Sequence, residues 1–203
     1  MNEKVSTTID MIRHGEPVGG RKYRGQIDDP LSDKGWAQMR QAVAGHSPWN
    51  IIITSTLRRC MDFAQELGQQ NRIEVKAEPR FIEIGFGEWE GRTAVELNQE
   101  KSDQVQRFIS DPLNHTPPGA ETLYEFEARI IGAWNEMLET HAGQHILLVG
   151  HAGVMRMIVR HVLDMPLATM FRIRVANAAI SRIRVEHTGA TSFPRLLFHD
   201  GRL

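Results

Sequence analysis

Thr7-Thr8-Ile9-Asp10-Met11-Ile12-Arg13-His14-Gly15-Glu16-Pro17 joins a β-branched, apolar segment to a charged turn. Thr7 to Ile12 has the composition of a strand. Pro17 cannot continue a central strand, because it lacks the N–H that a ladder needs. Arg13 and His14 therefore stand where a strand ends and a loop begins. In an open α/β sheet that edge is where ligands bind. A guanidinium presents a planar fork of donors that matches phosphate. An imidazole beside it can act as nucleophile or as acid and base. The pair suits a phosphorylated ligand, but a solvated Arg–His pair at a strand end has the same sequence, and the rest of the chain has to decide.

Two later segments repeat the pattern. Ile51-Ile52-Ile53 is a short continuous apolar run of the kind buried in a parallel sheet, and Thr54-Ser55-Thr56-Leu57-Arg58-Arg59 leads from it into a helix reaching about Gly68. Leu57, Cys60, Met61, Ala64 and Leu67 give that helix an apolar face. His145 to Val149 is another strand, and Gly150-His151-Ala152-Gly153 turns into a helix running to about Leu163. All these strand ends can share one sheet edge, and the last two add helix N-termini, which favour anions. Arg58 and Arg59 in a first turn oppose the helix dipole, so a negative group is expected nearby. Glu83 sits between these segments in a Gly-rich loop, a carboxyl group where cations otherwise gather.

The remaining elements follow from periodicity and caps. Ser32 caps a helix with Trp36, Met39 and Val43 on one face, ended by Gly45 and Pro48. Ile73 to Ala77 alternates as a strand, and short helices follow at about Ala94–Asn98, capped by Thr93, and about Asp103–Ile109. Glu121 to Thr140 is a long amphipathic helix, and Phe171–Val175, Ala179–Val185 and Pro194–Phe198 read as closing strands. Strands alternating with helices indicate an α/β fold with a mostly parallel sheet, the closing strands adding an antiparallel edge. No repeat, low-complexity tract or linker divides residues 1–203, which are expected to form a single domain.

Composition narrows the function classes. Of 203 residues, 24 are Lys or Arg and 25 are Asp or Glu, so no general field draws the chain to nucleic acid or to a membrane surface. Any anion site must be a local cluster. No apolar run approaches the roughly 20 residues of a membrane span. Cys60 is the one cysteine, so neither an intrachain disulfide nor a cysteine metal cluster is available, and a cytoplasmic setting is expected. The candidate histidines His14 and His151 lack the i, i+4 spacing of a metal pair, and no metal or cofactor is expected.

These blocks, in this order, resemble the histidine phosphatase superfamily, whose fold is that of the cofactor-dependent phosphoglycerate mutases. Arg13-His14-Gly15-Glu16 resembles its signature, and Ser55-Thr56-Leu57-Arg58-Arg59 its Ser-x-Leu-x-Arg block. Phe81 to Gly91 resembles the block that carries the acid/base glutamate, and Gly150-His151-Ala152-Gly153-Val154 the second-histidine block. Gly25 to Ser32 resembles the early phosphate loop, and Pro118-Gly119-Ala120-Glu121-Thr122 a turn common in the phosphatase branch. The resemblance implies a three-layer αβα sandwich with a mostly parallel central sheet and an antiparallel edge strand. It implies His14 as nucleophile, Glu83 as acid and base, and Arg13, Arg59 and a protonated His151 around the phosphoryl group. Gly25, Gln26, Arg21 and Arg58 are the expected substrate contacts. Many members have Asn where Gly20 stands, and Gln26 or Arg21 is the candidate replacement; Phe63 replaces a usual Thr.

The expected partner is a small phosphate ester, not nucleic acid or membrane, and a homodimer is common in the family. The compact Phe86–Phe108 stretch leaves few residues for the lid that mutases carry, which favours a phosphatase over a mutase. A non-catalytic phosphate-binding module is the third reading, and the presence of nucleophile and acid together counts against it. Bacterial α-ribazole phosphatases, broad-specificity members and sugar-phosphate phosphatases are all resembled. Arg21, Lys22, Arg24 and Trp89 are either substrate contacts or solvated loop residues.

Overall fold

The structure is a computed structural model that describes residues 5–101, 103–188 and 191–203. Its centre is a six-stranded sheet. In chain order the strands are β1 (Val5–Arg13), β2 (Ile51–Thr54), β3 (Glu74–Ala77), β4 (His145–Gly150), β5 (Ile180–Thr188) and β6 (Thr191–Gly201). In space they lie β3-β2-β4-β1-β5-β6. The first four of that order pair in parallel, and β5 and β6 pair antiparallel. The expected antiparallel edge is thus a two-stranded extension.

The helices are α1 (Asp33–Ala42), α2 (Arg58–Asn71), α3 (Ala94–Glu100), α4 (Gln104–Ser110), α5 (Leu123–Thr140) and α6 (Ala152–Val162). Ser32, Thr93 and Thr122 accept from the third backbone N–H of α1, α3 and α5, and at α3 and α5 Glu96 and Glu125 complete capping boxes.

The apolar strand runs are continuous because both sheet faces are covered. Alternate residues face alternate layers. Ile51, Ile53, Ile146 and Leu148 pack with Phe126, Ile130, Trp134, Val154 and Ile158 of α5 and α6. Ile52, Leu147 and Val149 pack with Met39 of α1 and Cys60, Phe63 and Leu67 of α2 on the other side. This is the three-layer arrangement. In α2, Phe63 takes the buried place, while Leu57 and Met61 are only half-buried. A third, smaller cluster joins Trp89, Leu97, Val105 and Phe108 and ties α3 and α4 to the loop after β3.

Phe171–Val175 is not a strand. Leu167–Arg172 winds as a 3₁₀ helix, and the residues after it are irregular. The β-branched content suited a ladder, but carbonyl groups here serve arginine side chains: Arg156 Nε donates to Ile173 O and Arg13 Nη1 to Val175 O.

Candidate active site

The strand register builds the site. Arg13 lies opposite Gly150 in the β1–β4 pair, and Thr54 opposite Val149 in the β2–β4 pair. The carboxyl ends of β1, β4 and β2 therefore stand side by side, and His14, His151 and Arg59 follow them within a few residues. Gly15 makes the turn after β1 practicable, since a Cβ there would overlap the backbone of Gly35 on α1.

The two imidazoles face each other edge-on, with ring centroids 5.3 Å apart and planes at 64°. His14 Nδ1 is 2.8 Å from Gly15 O. A carbonyl only accepts, so Nδ1 carries the proton and Nε2 holds the free lone pair. Burial, then Arg13 and Arg59, push the His14 pKa well below its ordinary value, and the ring is neutral near pH 7. His151 lies 2.7 Å from Ser55 Oγ. Burial and Arg59 also push its pKa far down. The protonated His151 expected for the site is therefore not its free state: with no anion in place, burial and then Arg59, His14, Arg13 and Arg129 disfavour another charge. Burial pushes the neighbouring Cys60 thiol up, so it is no thiolate competitor.

Arg59 is buried, with its fork held by two carbonyls: Nη1 donates to Ile27 O at 2.6 Å and Nη2 to Gly25 O at 2.8 Å. Among the described residues, Arg13 Nε and Arg59 Nε are buried without a hydrogen-bond partner. Glu83 sits over the start of α6, accepting from Gly153 N at 3.1 Å and from Ile84 N at 3.0 Å.

Gly25 meets the site through its carbonyl, which orients Arg59. The exposed Gln26 side chain lies 3.5 Å from Glu83 O, at the rim. Arg21 is exposed. The Arg58 side chain leaves the site and pairs with Asp62 at 3.4 Å. The negative group expected at the start of α2 is Asp28, which accepts from Arg58 N at 2.6 Å. Gly20 has a positive φ of 70° and open space around it.

Four groups take positioning roles that the sequence reading did not assign, Arg24 among them as a structural loop residue rather than a substrate contact. Arg24 donates to Val18 O and Gly20 O and pairs with Asp29, closing the loop near His14. Glu90 Oε1 accepts from both Gln26 N and Phe86 N, clamping two loops together. Arg129 holds the Glu83 segment by donating to the carbonyls of Arg80, Ile82 and Glu83 while paired with Glu121. Arg156 lies on α6, and Glu83 favours its charge against the cost of burial. The only sequence signal for these was the turn containing Glu121 and the basic loop containing Arg24.

Known proteins resemble this chain in sequence and in fold. A probable phosphoglycerate mutase of Cronobacter sakazakii is 30% identical over 179 residues, covering 86% of this chain and 83% of that protein. An adenosylcobalamin/α-ribazole phosphatase of Salmonella typhimurium is 27% identical over 180 residues, covering 86% and 89%. The solved mycobacterial glucosyl-3-phosphoglycerate phosphatase superposes with a TM-score of 0.87 at 24% identity, over 97% of this chain and 99% of that one. The sequence profile of the histidine phosphatase superfamily, branch 1, matches residues 9–193, a span that contains His14, Arg59, Glu83 and His151. With that match covering β2 to β5 whole and every strand end of the site, the chain belongs to branch 1 of the histidine phosphatase superfamily.

Proposed function

We propose that the protein is a phosphomonoesterase acting on a small phosphate ester through a phosphohistidine on His14. The observation that carries this is the pair of buried guanidinium nitrogens, Arg13 Nε and Arg59 Nε, without protein partners beside a neutral imidazole with a free Nε2 lone pair. A buried cationic donor left unpaired is costly. A phosphoryl dianion satisfies both arginines and offers phosphorus to Nε2.

The chemistry follows in balanced steps. His14 Nε2 bonds to phosphorus as the ester P–O bond breaks, and Glu83 gives a proton to the departing alkoxide. Arg13 and Arg59 spread charge over the equatorial oxygens, where phosphoryl transfer gains most of its acceleration. The bound dianion also reverses the field at His151, which can then hold a proton. Water next gives its proton to Glu83 and its oxygen to phosphorus, the N–P bond breaks, and inorganic phosphate leaves. Among the described residues no helix is long and apolar enough to cross a membrane. The lone, buried Cys60 accords with a cytoplasmic setting.

The test is a rapid quench with an ester labelled in the phosphoryl group. Label on the protein that survives base, is lost in acid and maps to the His14 peptide is expected. Steady turnover with no labelled protein, or label elsewhere, overturns the reading. The Cronobacter relative favours a second reading, a mutase. Supplying 3-phosphoglycerate primed with 2,3-bisphosphoglycerate separates them: free phosphate supports hydrolysis, and rapid isomerisation with little phosphate supports the mutase.

A further inference from the structure

Around Phe86, three residues past Glu83, and Arg156, three residues past Gly153, the protein carries a cavity that phosphate chemistry does not use. It measures about 190 Å³ and is walled by Tyr23, Phe86, Phe108, Ile109, Phe171 and Arg156. The walls are braced rather than loose. Tyr23 and Phe86 meet edge-on at 5.1 Å, Phe86 and Phe108 at 6.1 Å, and Phe108 packs on Phe171 at 4.9 Å. Into this apolar lining comes one guanidinium. Arg156 Nε donates to Ile173 O at 2.8 Å, and its Cζ lies 5.8 Å from the Phe171 ring centre. Among the described residues its Nη groups donate to nothing and no carboxylate pairs with it, unlike Arg129 or Arg24.

We propose that this cavity takes the alcohol part of the ester as an aromatic body carrying a carboxylate, which pairs with the two Nη groups of Arg156. This rests on the phosphomonoesterase reading, in which Glu83 protonates the leaving oxygen, so the alcohol must lie on the Glu83 side of the phosphoryl group. Three observations converge. First, Arg156 stands three residues along α6 from Gly153, whose N–H donates to Glu83, and its Nε holds Ile173 O two residues before the Val175 carbonyl that Arg13 holds. Second, a cavity of roughly 150 Å³ accepts a benzene ring, so this one holds a ring with a single small substituent. Third, a fork fixed at Nε by a carbonyl leaves its two outer nitrogens aimed as a unit, the geometry that binds a carboxylate bidentately. Aromatic walls lower the local dielectric, so the pairing is stronger there than in water.

The test compares meta-carboxyphenyl phosphate with meta-tolyl phosphate. The two are of similar size and, with the carboxylate ionised, leave as phenols of similar basicity, so their ratio reads recognition rather than leaving-group chemistry. In the wild type the carboxylate ester is expected to have the higher kcat/KM by about 10-fold, the scale of one charge-assisted contact. In Arg156→Gln that ratio falls to near one, mostly through a higher KM for the carboxylate ester, and in Arg156→Lys it is intermediate. A wild-type ratio at or below one overturns the proposal before any variant is made, and so does an unchanged ratio in both variants. Phosphate released from the tolyl ester alone sinks only this inference. Phosphate released from neither ester sinks the phosphomonoesterase reading with it.

Discussion

At His14 Nδ1–H is tied to Gly15 O, which leaves Nε2 free as the atom that attacks in the proposed reaction. Replacing His14 with Ala is expected to lower kcat by at least about 10³-fold, as loss of a nucleophile does, with the folded far-UV spectrum retained. A tenth of wild-type turnover in a folded variant would assign the nucleophile elsewhere. Glu83→Gln is expected to act selectively. A proton donor matters most when the leaving alkoxide is strongly basic. An alkyl phosphate should therefore lose far more rate than p-nitrophenyl phosphate, whose leaving group departs without help. Equal losses for the two esters count against the acid role.

Helix α6 begins one residue past His151 and carries three features of the site in two turns: the His151 imidazole, the Gly153 amide under Glu83, and Arg156. Gly153 is in a helix, where Ala is ordinarily better by about 1 kcal/mol. Here a Cβ would overlap Glu83 Oε1 and press on the Phe126 ring. Gly153→Ala is thus expected to keep or nearly keep the melting temperature while kcat falls by about 100-fold, the penalty of moving a catalytic group by about 1 Å. Wild-type kcat in this variant would show that Glu83 need not sit where it does. The same helix shows what a sequence can disclose. The strands β2 and β4 are apolar because both faces are covered, and their helix-starting turns are marked by small and polar residues, so the sheet edge with His14, Arg59 and His151 was legible. Arg156, Arg129 and Glu90 were not. Their partners lie 17 (Ile173), 49 (Arg80) and 64 (Gln26) residues away in sequence, and only tertiary packing selects them. The Phe171–Val175 segment misled for the same reason: its composition is that of a strand, yet carbonyls of that segment are spent on Arg156 and Arg13.

For the whole molecule, the phosphate site works against folding as pH falls. His14 and His151 have native pKa values well below 6.5, lowered first by burial and then by the arginines. His161, on the exposed end of α6, shifts in the same direction, by desolvation and Arg160. As pH drops below about 6.5 the unfolded chain gains protons that the native state refuses, so stability declines with falling pH. The buried pair His14 and His151 contributes at most about 1.4 kcal/mol per pH unit each, and exposed, solvent-screened His161 much less. Asp10 behaves differently. Burial raises its pKa, but hydrogen bonds from His145, Arg182 and Trp49 outweigh that and hold it at about 2. Its stabilisation, about 2 kcal/mol, is in place above its unfolded value of 3.8 and disappears only as pH falls toward 2. Asp10 adds no slope above its unfolded value of 3.8, so thermal melts between pH 7.5 and 5 read the histidines. The melting temperature is expected to fall across that range, with most of the slope removed in the double variant His14→Gln, His151→Gln. Saturating inorganic phosphate should also flatten it, because an anion bound between Arg13 and Arg59 lets the native histidines take up protons and stabilises the folded state by mass action. A wild-type melting temperature that is flat from pH 7.5 to 5, or an equal slope in the double variant, would show that the arginines do not hold these imidazoles neutral.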